Sequence, residues 1–257
     1  MNFLTTFYAD KGLIKQNNQD SVCIKTARTY HGNVTMAIVC DGMGGFAKGE
    51  LASATVVKSF ANWFDEELPR LLNDGLTPEL LRERWNYIID SNNYKILQYG
   101  SNNNLKLGTT IAGLFIMDNE YIVTVSIGDS RVYKINDGVY QLTEDQTIVQ
   151  YDLNCGKITR EQAENDPRKH VLLQCIGSTS NLRPAYLCED VMPDSMYLIC
   201  TDGFCSKLNN NELMDYLNPR YNMDENTMQQ KLSNLTQTVK SRKETDNITS
   251  VLVRTCI

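Results

Sequence analysis

Ala37-Ile38-Val39-Cys40-Asp41-Gly42-Met43-Gly44-Gly45 is the stretch that sets the reading of this chain. Four apolar residues run without a break into a carboxylate, and glycines follow. The run suits a short buried strand, which leaves Asp41 at the strand's mouth. One glycine serves a turn, whereas three after one carboxylate imply backbone brought close to something. The arrangement recurs along the chain. Tyr197-Leu198-Ile199-Cys200 leads into Thr201-Asp202-Gly203, and Tyr121–Ile127 into Gly128-Asp129-Ser130. Asp246-Asn247 stands directly before an apolar run, and Asp20 follows the polar turn Gln16–Gln19.

Working outward, short β-type runs dominate: Phe3–Ala9, Ser21–Lys25, Val34–Cys40, Thr109–Met117, Tyr121–Ile127, Arg131–Ile135, Met196–Cys200 and Ile248–Arg254. Met117–Glu120 and Asn136-Asp137-Gly138 read as hairpin turns, Asp137 therefore as a turn residue, and hairpins mean antiparallel sheets. Helical spacing marks Leu51, Val56, Phe60 and Phe64. It also marks Leu81, Trp85, Ile88, Ile89 and Ile96 after the Thr77-Pro78 start signal, and Met228, Leu232, Leu235 and Val239. Thr143–Tyr151 and Thr159–Glu164 suggest shorter helices, while the asparagine runs 102–104 and 209–211 read as turns. The expected class is α+β, two packed antiparallel sheets with amphipathic helices outside.

Of 257 residues 42% are hydrophobic and 22% charged, with a net charge of −6 and a pI near 5.1. One domain over residues 1–257 is expected, since no linker or repeat interrupts the chain. An acidic balance argues against a nucleic-acid binder or an anionic membrane surface as partner. No apolar run reaches the roughly 20 residues that span a bilayer, and the first residues have no signal-peptide pattern. Eight cysteines without a C-x-x-C pair read as reduced thiols buried in the core, Cys188 among those beside apolar stretches, and a cytoplasmic location is expected. Two histidines are too few for a zinc site. Both His31 and His170 read as ordinary surface or boundary residues.

Aspartates converging from several strand ends would repel one another, and a hard divalent cation, Mg²⁺ or Mn²⁺, is the usual resolution. With Gly12, Asn18–Ser21, Val39–Gly45, Gly49-Glu50, Gly108–Thr110, Gly128–Arg131, Thr143 with Asp145, Cys200–Phe204 and Asp246–Thr249 in this order, the chain resembles the metal-dependent Ser/Thr protein phosphatases of type 2C. The match is to their bacterial members and covers nearly the whole chain. The resemblance implies a β-sandwich flanked by helix pairs and a binuclear Mn²⁺/Mg²⁺ centre that activates water for direct attack on a phosphate monoester. It assigns Asp20, Asp41, Asp202, Asp246 and the Gly42 carbonyl as metal ligands, with Asp41 and Asp202 catalytic, and Asp129 to a third ion. Residues 146–173 match a flap beside the site. Phosphorylated Ser/Thr proteins and an opposing Ser/Thr kinase are the implied partners, and a monomer is expected.

Three departures from the family pattern involve four residues. Lys15 stands where a phosphate-gripping arginine is usual, Met43 and Phe46 where some members carry histidine, and Ser206 where an acid often follows Asp202. They motivate an alternative, a weak or inactive phosphatase-fold protein that binds phosphoproteins or a regulatory partner. An enzyme of small phosphate esters is a third reading.

Overall fold

The computed structural model describes residues 1–44, 48–118, 120–178, 180–221 and 224–256; Gly45 and Phe46 lie outside the described residues. Ten of the strands form two five-stranded antiparallel sheets. One runs in the order β1 (Asn2–Asp10), β12 (Ile248–Cys256), β11 (Met196–Cys200), β8 (Arg131–Ile135), β9 (Val139–Gln141). The other runs β10 (Ala185–Asp190), β7 (Tyr121–Ile127), β6 (Ile111–Met117), β3 (Gly32–Cys40), β2 (Ser21–Thr29). A small ribbon pairs β4 (Gly42–Gly44) with β5 (Leu107–Thr109).

Side chains alternate across each central strand, and the alternation makes the layers. On β3, Ala37 and Val39 face the opposing sheet, where they meet Val132, Ile199 and Val251. Its other face, Met36, Ile38 and Cys40, packs beneath α1 (Gly49–Glu66), α2 (Leu68–Asn73) and α3 (Pro78–Asn103). Phe60, Trp63, Trp85 and Phe115 meet edge to face there, with Phe60 and Trp85 5.4 Å apart, contacts worth about 0.5–1.5 kcal/mol each beyond their buried area. On the far side α7 (Asn210–Leu217) and α8 (Glu225–Ser241) cover Leu198, Cys200 and Leu252. The molecule is therefore helices, sheet, sheet, helices, as the sequence predicts for an α+β sandwich. The remaining helices, α4 (Ile148–Asn154), α5 (Arg160–Asn165) and the single turn α6 (Asp202–Cys205), lie at the end where β3, β7 and β11 stop.

Several elements differ from expectation. Leu51 is 40% exposed, and the buried stripe of α1 runs instead through Ala52, Val56, Phe60 and Trp63. The helix expected from Thr143 starts only after Thr147, whose side chain caps Gln150. Thr143 is used earlier, accepting from the Val132 N–H. Asn209 is not a turn but the cap of α7, in a reciprocal capping box with Glu212. All eight cysteines are free, but Cys188 is exposed on the edge strand β10, as is Cys155 after α4.

Candidate active site

The buried strands push five carboxylates out at one end of the sandwich. Asp41 leaves β3 with its backbone fixed on both sides. Its N–H donates to Thr110 Oγ1 at 3.0 Å, and its carbonyl accepts from Thr110 N–H at 2.9 Å and Thr109 Oγ1 at 2.8 Å. Gly42 follows because nothing larger fits. A Cβ there would stand 2.3 Å from the Gly49 carbonyl oxygen and 2.4 Å from that of Gln19. This close approach seats the start of α1 against the strand end.

Asp20 sits at the end of the 11–19 loop, and Asn247 holds that loop. Its amide nitrogen donates to the carbonyls of Lys11 and Asn17, both at 3.0 Å, and its oxygen accepts from Gln19 N–H at 2.9 Å. Gly12 allows the loop to cross over Asp246, with φ of +76° and a Cβ position 2.1 Å from the Asp246 carbonyl oxygen. Asp246 stays half-exposed and accepts from Lys15 Nζ at 2.9 Å and from Asn247 N–H at 2.8 Å. Asp202 opens α6 after Thr201, and the Thr201 hydroxyl donates to Asp20 Oδ2 at 3.2 Å. Asp129 lies in the connection from β7 to β8.

The carboxylates read from the sequence thus share one rim, and Asp41 feels all the others. Burial first, then the carboxylates of Asp20, Asp202, Asp129 and Asp246, push the Asp41 carboxyl far above the usual range. Burial, opposed by the neighbouring hydroxyls of Thr249 and then Thr201 and reinforced by Asp246 and Asp202, pushes Asp20 up to about 7. Asp129 is pushed well up, by burial and then by Asp202. Asp202 behaves oppositely: burial would raise it, but the hydrogen bond and charge of His170 hold it below the ordinary value. Lys15 is stabilised as a cation against its partial burial by Asp246, then Asp41 and Asp202.

Two oxygens of the rim are orphaned. Asp20 Oδ1 and Asp202 Oδ1 are buried without a hydrogen-bond donor among the described residues. Buried anionic oxygens in that condition cost free energy that a cation would recover. The donors are all hard oxygens from separate strand ends, the set that suits Mg²⁺ or Mn²⁺. The residues present fit such ions.

His170 is the residue sequence reasoning missed. Its Nδ1 lies 3.1 Å from Asp202 Oδ2, so it is no ordinary surface histidine. No spacing signal could have found it, because it reaches the rim from a separate segment that folds back. That segment, residues 146–173, is pinned at its root by Ile148 N–H to the Val171 carbonyl at 2.9 Å and Leu173 N–H to the Gln146 carbonyl at 2.8 Å. Arg168 ties its far turn to Asp166 at 2.8 Å and Asp152 at 3.3 Å. Between the segment and the body opens a cavity of about 680 Å³ bordered by Asp129, Asp202, Arg160, Lys169 and His170.

The departing residues have defined places. Met43 pairs with Gly108 in the small ribbon, and Ser206 Oγ donates to Glu244 at 2.7 Å. Arg131 is engaged by both Asp145 oxygens, at 2.8 and 2.6 Å, and by the Tyr133 hydroxyl, which makes it structural. His31 sits in the β2–β3 turn, 3.4 Å from Asn73, beneath α2.

Comparison with known proteins agrees with this geometry. The family described as Protein phosphatase 2C matches residues 14–236. Protein phosphatase PhpP of Streptococcus pneumoniae is 30% identical over 247 residues, 95% of this chain and 94% of that protein. The serine/threonine phosphatase of S. agalactiae superposes with a TM-score of 0.85 at 27% identity, covering 99% of this chain and 100% of that one. The catalytic domain of the serine threonine protein phosphatase PstP, solved in complex with 2 manganese ions, has a TM-score of 0.78 at 24% identity, covering 100% of both chains. With the sandwich, the carboxylate rim and most of the chain's length matched together, this protein belongs to the protein phosphatase 2C family of enzymes.

Proposed function

We propose that the protein removes phosphate from phosphorylated serine and threonine side chains of proteins, using two divalent cations, Mn²⁺ or Mg²⁺, at the carboxylate rim. The observation that carries this reading is the pair of buried, donorless oxygens on Asp20 and Asp202 within a rim of five aspartates. Asp20, Asp41, Asp202, Asp246 and the Gly42 carbonyl would hold the two ions, with Asp41 central because every other rim carboxylate acts on it. A Cβ at Gly49 would come within 2.5 Å of the Gly42 oxygen, so glycine there leaves that oxygen uncovered. Bound cations of this kind lower the pKa of water and offset charge on phosphoryl oxygens.

The chain's own groups do the rest. Lys15, released from Asp246, offers a mobile cation to the phosphate, with three donors but no bidentate fork. Thr109, Thr110 and Thr201 fix the backbone and carboxylates so that the rim need not reorganise during reaction. Residues 146–173 act as a flap over one side of the rim within a single domain spanning residues 1–257. The opposing enzyme would be a Ser/Thr protein kinase, which supplies the phosphoester. Eight free thiols suit a cytoplasmic setting, and no helix among the described residues is long and apolar enough to cross a membrane. We read the working unit as a monomer.

The test compares a phosphothreonine peptide with a small aryl phosphate at saturating Mn²⁺. A protein phosphatase gives the higher kcat/KM on the peptide. Turnover of the small ester alone would replace this reading with that of a small-molecule phosphatase.

A further inference from the structure

We propose that the apolar groove between α3 and the β4–β5 ribbon is a substrate subsite, which takes an apolar side chain of the phosphopeptide two or three residues from the phosphorylated one. This rests on the reading of the rim as that of a phosphoprotein phosphatase, and names the sequence around the phosphate that it favours. The groove has a volume of about 640 Å³ and shares no lining residue with the polar cavity bordered by Asp129 and Asp202. Met43, Leu97 and Leu105 stand half-buried along it, and Leu107 and Cys175 are buried. Tyr94, three residues before Leu97 on the same helical face and 62% exposed, prolongs the apolar surface. A continuous apolar surface that opens to water beside a reactive rim marks a binding site.

Strand β4 ties this groove to the rim. Gly42 begins the strand and carries the carbonyl read as a cation ligand, while Met43 and Gly44 border the groove. At roughly 3.3 Å per extended residue, Gly44 lies about 7 Å along the chain from Gly42, a span that two residues of extended peptide cover. A phosphothreonine held at the rim therefore delivers its second or third neighbour to the groove. Lys106, exposed at the groove's edge, has no ion-pair partner among the described residues. A cation so placed suits an occupant that brings negative charge, as a phosphopeptide does.

The groove is preformed. Thr109 and Ile176 exchange two backbone hydrogen bonds at 2.9 Å, and the Leu105 N–H donates to the Gly100 carbonyl at 2.9 Å. Gly177, at φ of +95°, lets the chain lie against α3, where a Cβ would stand 2.3 Å from Ile96 Cγ2. Its N–H donates to Asn93 Oδ1 at 2.7 Å. With the walls already fixed, a guest side chain enters at little ordering cost.

The test assays full-length protein with Mn²⁺ on phosphothreonine peptides of serine and glycine. Leucine is placed at one position at a time, from three residues before the phosphothreonine to three after it. The expected result is a kcat/KM about 10-fold higher for leucine at a position two or three residues away, the low end for burying one aliphatic side chain. That preference should disappear in Leu97→Gln, which puts an amide into the wall, and in Leu97→Trp, which fills the groove. The scan itself uses the wild type, so a variant that fails to fold leaves its answer standing. Equal kcat/KM at every position, or a gain only next to the phosphothreonine, overturns the subsite and leaves the phosphatase reading intact. No turnover of any phosphopeptide overturns both. A leucine preference that persists in both Leu97 variants belongs to another surface and overturns the proposal. So does sedimentation of the wild type as a dimer that Leu97→Gln dissolves, which gives the groove to a second copy of the chain.

Discussion

Lys15 and Asn247 show how much a single residue carries at this rim. Lys15 is partly exposed and paired with Asp246, so its attraction for phosphate is screened and competes with an existing partner. Lys15→Ala is expected to raise KM by about fivefold, near 1 kcal/mol, with kcat less affected, because the ammonium binds phosphate alike in ground and transition states. Steady-state kinetics on a phosphopeptide decide this, and an unchanged KM would place Lys15 outside the site. Asn247 is 3% exposed and makes three hydrogen bonds that fold the loop carrying Lys15 and Asp20. Asn247→Ala leaves those backbone groups without partners and should cost about 2–4 kcal/mol in denaturant unfolding. A loss below about 0.5 kcal/mol, the level of an ordinary surface substitution, would mean that the loop holds itself. The aspartates were legible because each borders a strand: Asp41, Asp129 and Asp202 follow apolar runs, and Asp20 and Asp246 precede strands. Asn247 was visible only as part of a motif, since its role depends on which backbone folds over it.

Among elements, those whose burial is written in their own residues could be read from the sequence. β3, β7 and β11 are short, largely apolar runs, and α3 and α8 carry stripes at helical spacing that the core takes up whole. Elements that exist only by pairing could not. Gly42-Met43-Gly44 has no strand pattern and becomes β4 because β5 runs beside it. β10 is an edge strand whose Glu189 is used in an ion pair with Lys134 at 2.7 Å, so its hydrophobic alternation is weak. The joint between β4 and α1 yields a prediction of its own. Gly42→Ala drives a methyl group onto two backbone oxygens that no side-chain rotation can move, and should destabilise the protein by about 2–3 kcal/mol. Thermal melting that matches the wild type would mean that the start of α1 can shift at little cost.

For the molecule as a whole, the sandwich brings five carboxylates to one end, at a free-energy cost in the metal-free state. Asp20, Asp41 and Asp129 all have folded values above their unfolded ones. The folded chain therefore binds more protons than the unfolded chain between about pH 4 and about 7, and stability falls as pH rises through that window. His170, raised by Asp202, acts in the same direction at its upper end, while the depressed Asp202 contributes stability that is lost only in acid below that window. Chelator-treated protein should thus lose about 1–3 kcal/mol between pH 5 and pH 7. Excess Mn²⁺ should restore that stability at pH 7. A metal-free protein equally stable at both pH values would mean that the rim carboxylates are relieved by something other than cations.

The central claim, that these carboxylates hold the cations of a phosphoprotein phosphatase, is tested most directly by phosphate release from a phosphothreonine peptide. Chelator-stripped wild type and Asp41→Asn are assayed with and without Mn²⁺, and their melting curves are recorded alongside. The account predicts release only with Mn²⁺ in the wild type, and a loss of several orders of magnitude in a folded Asp41→Asn. Release that ignores chelation, or wild-type rates in Asp41→Asn, would contradict it.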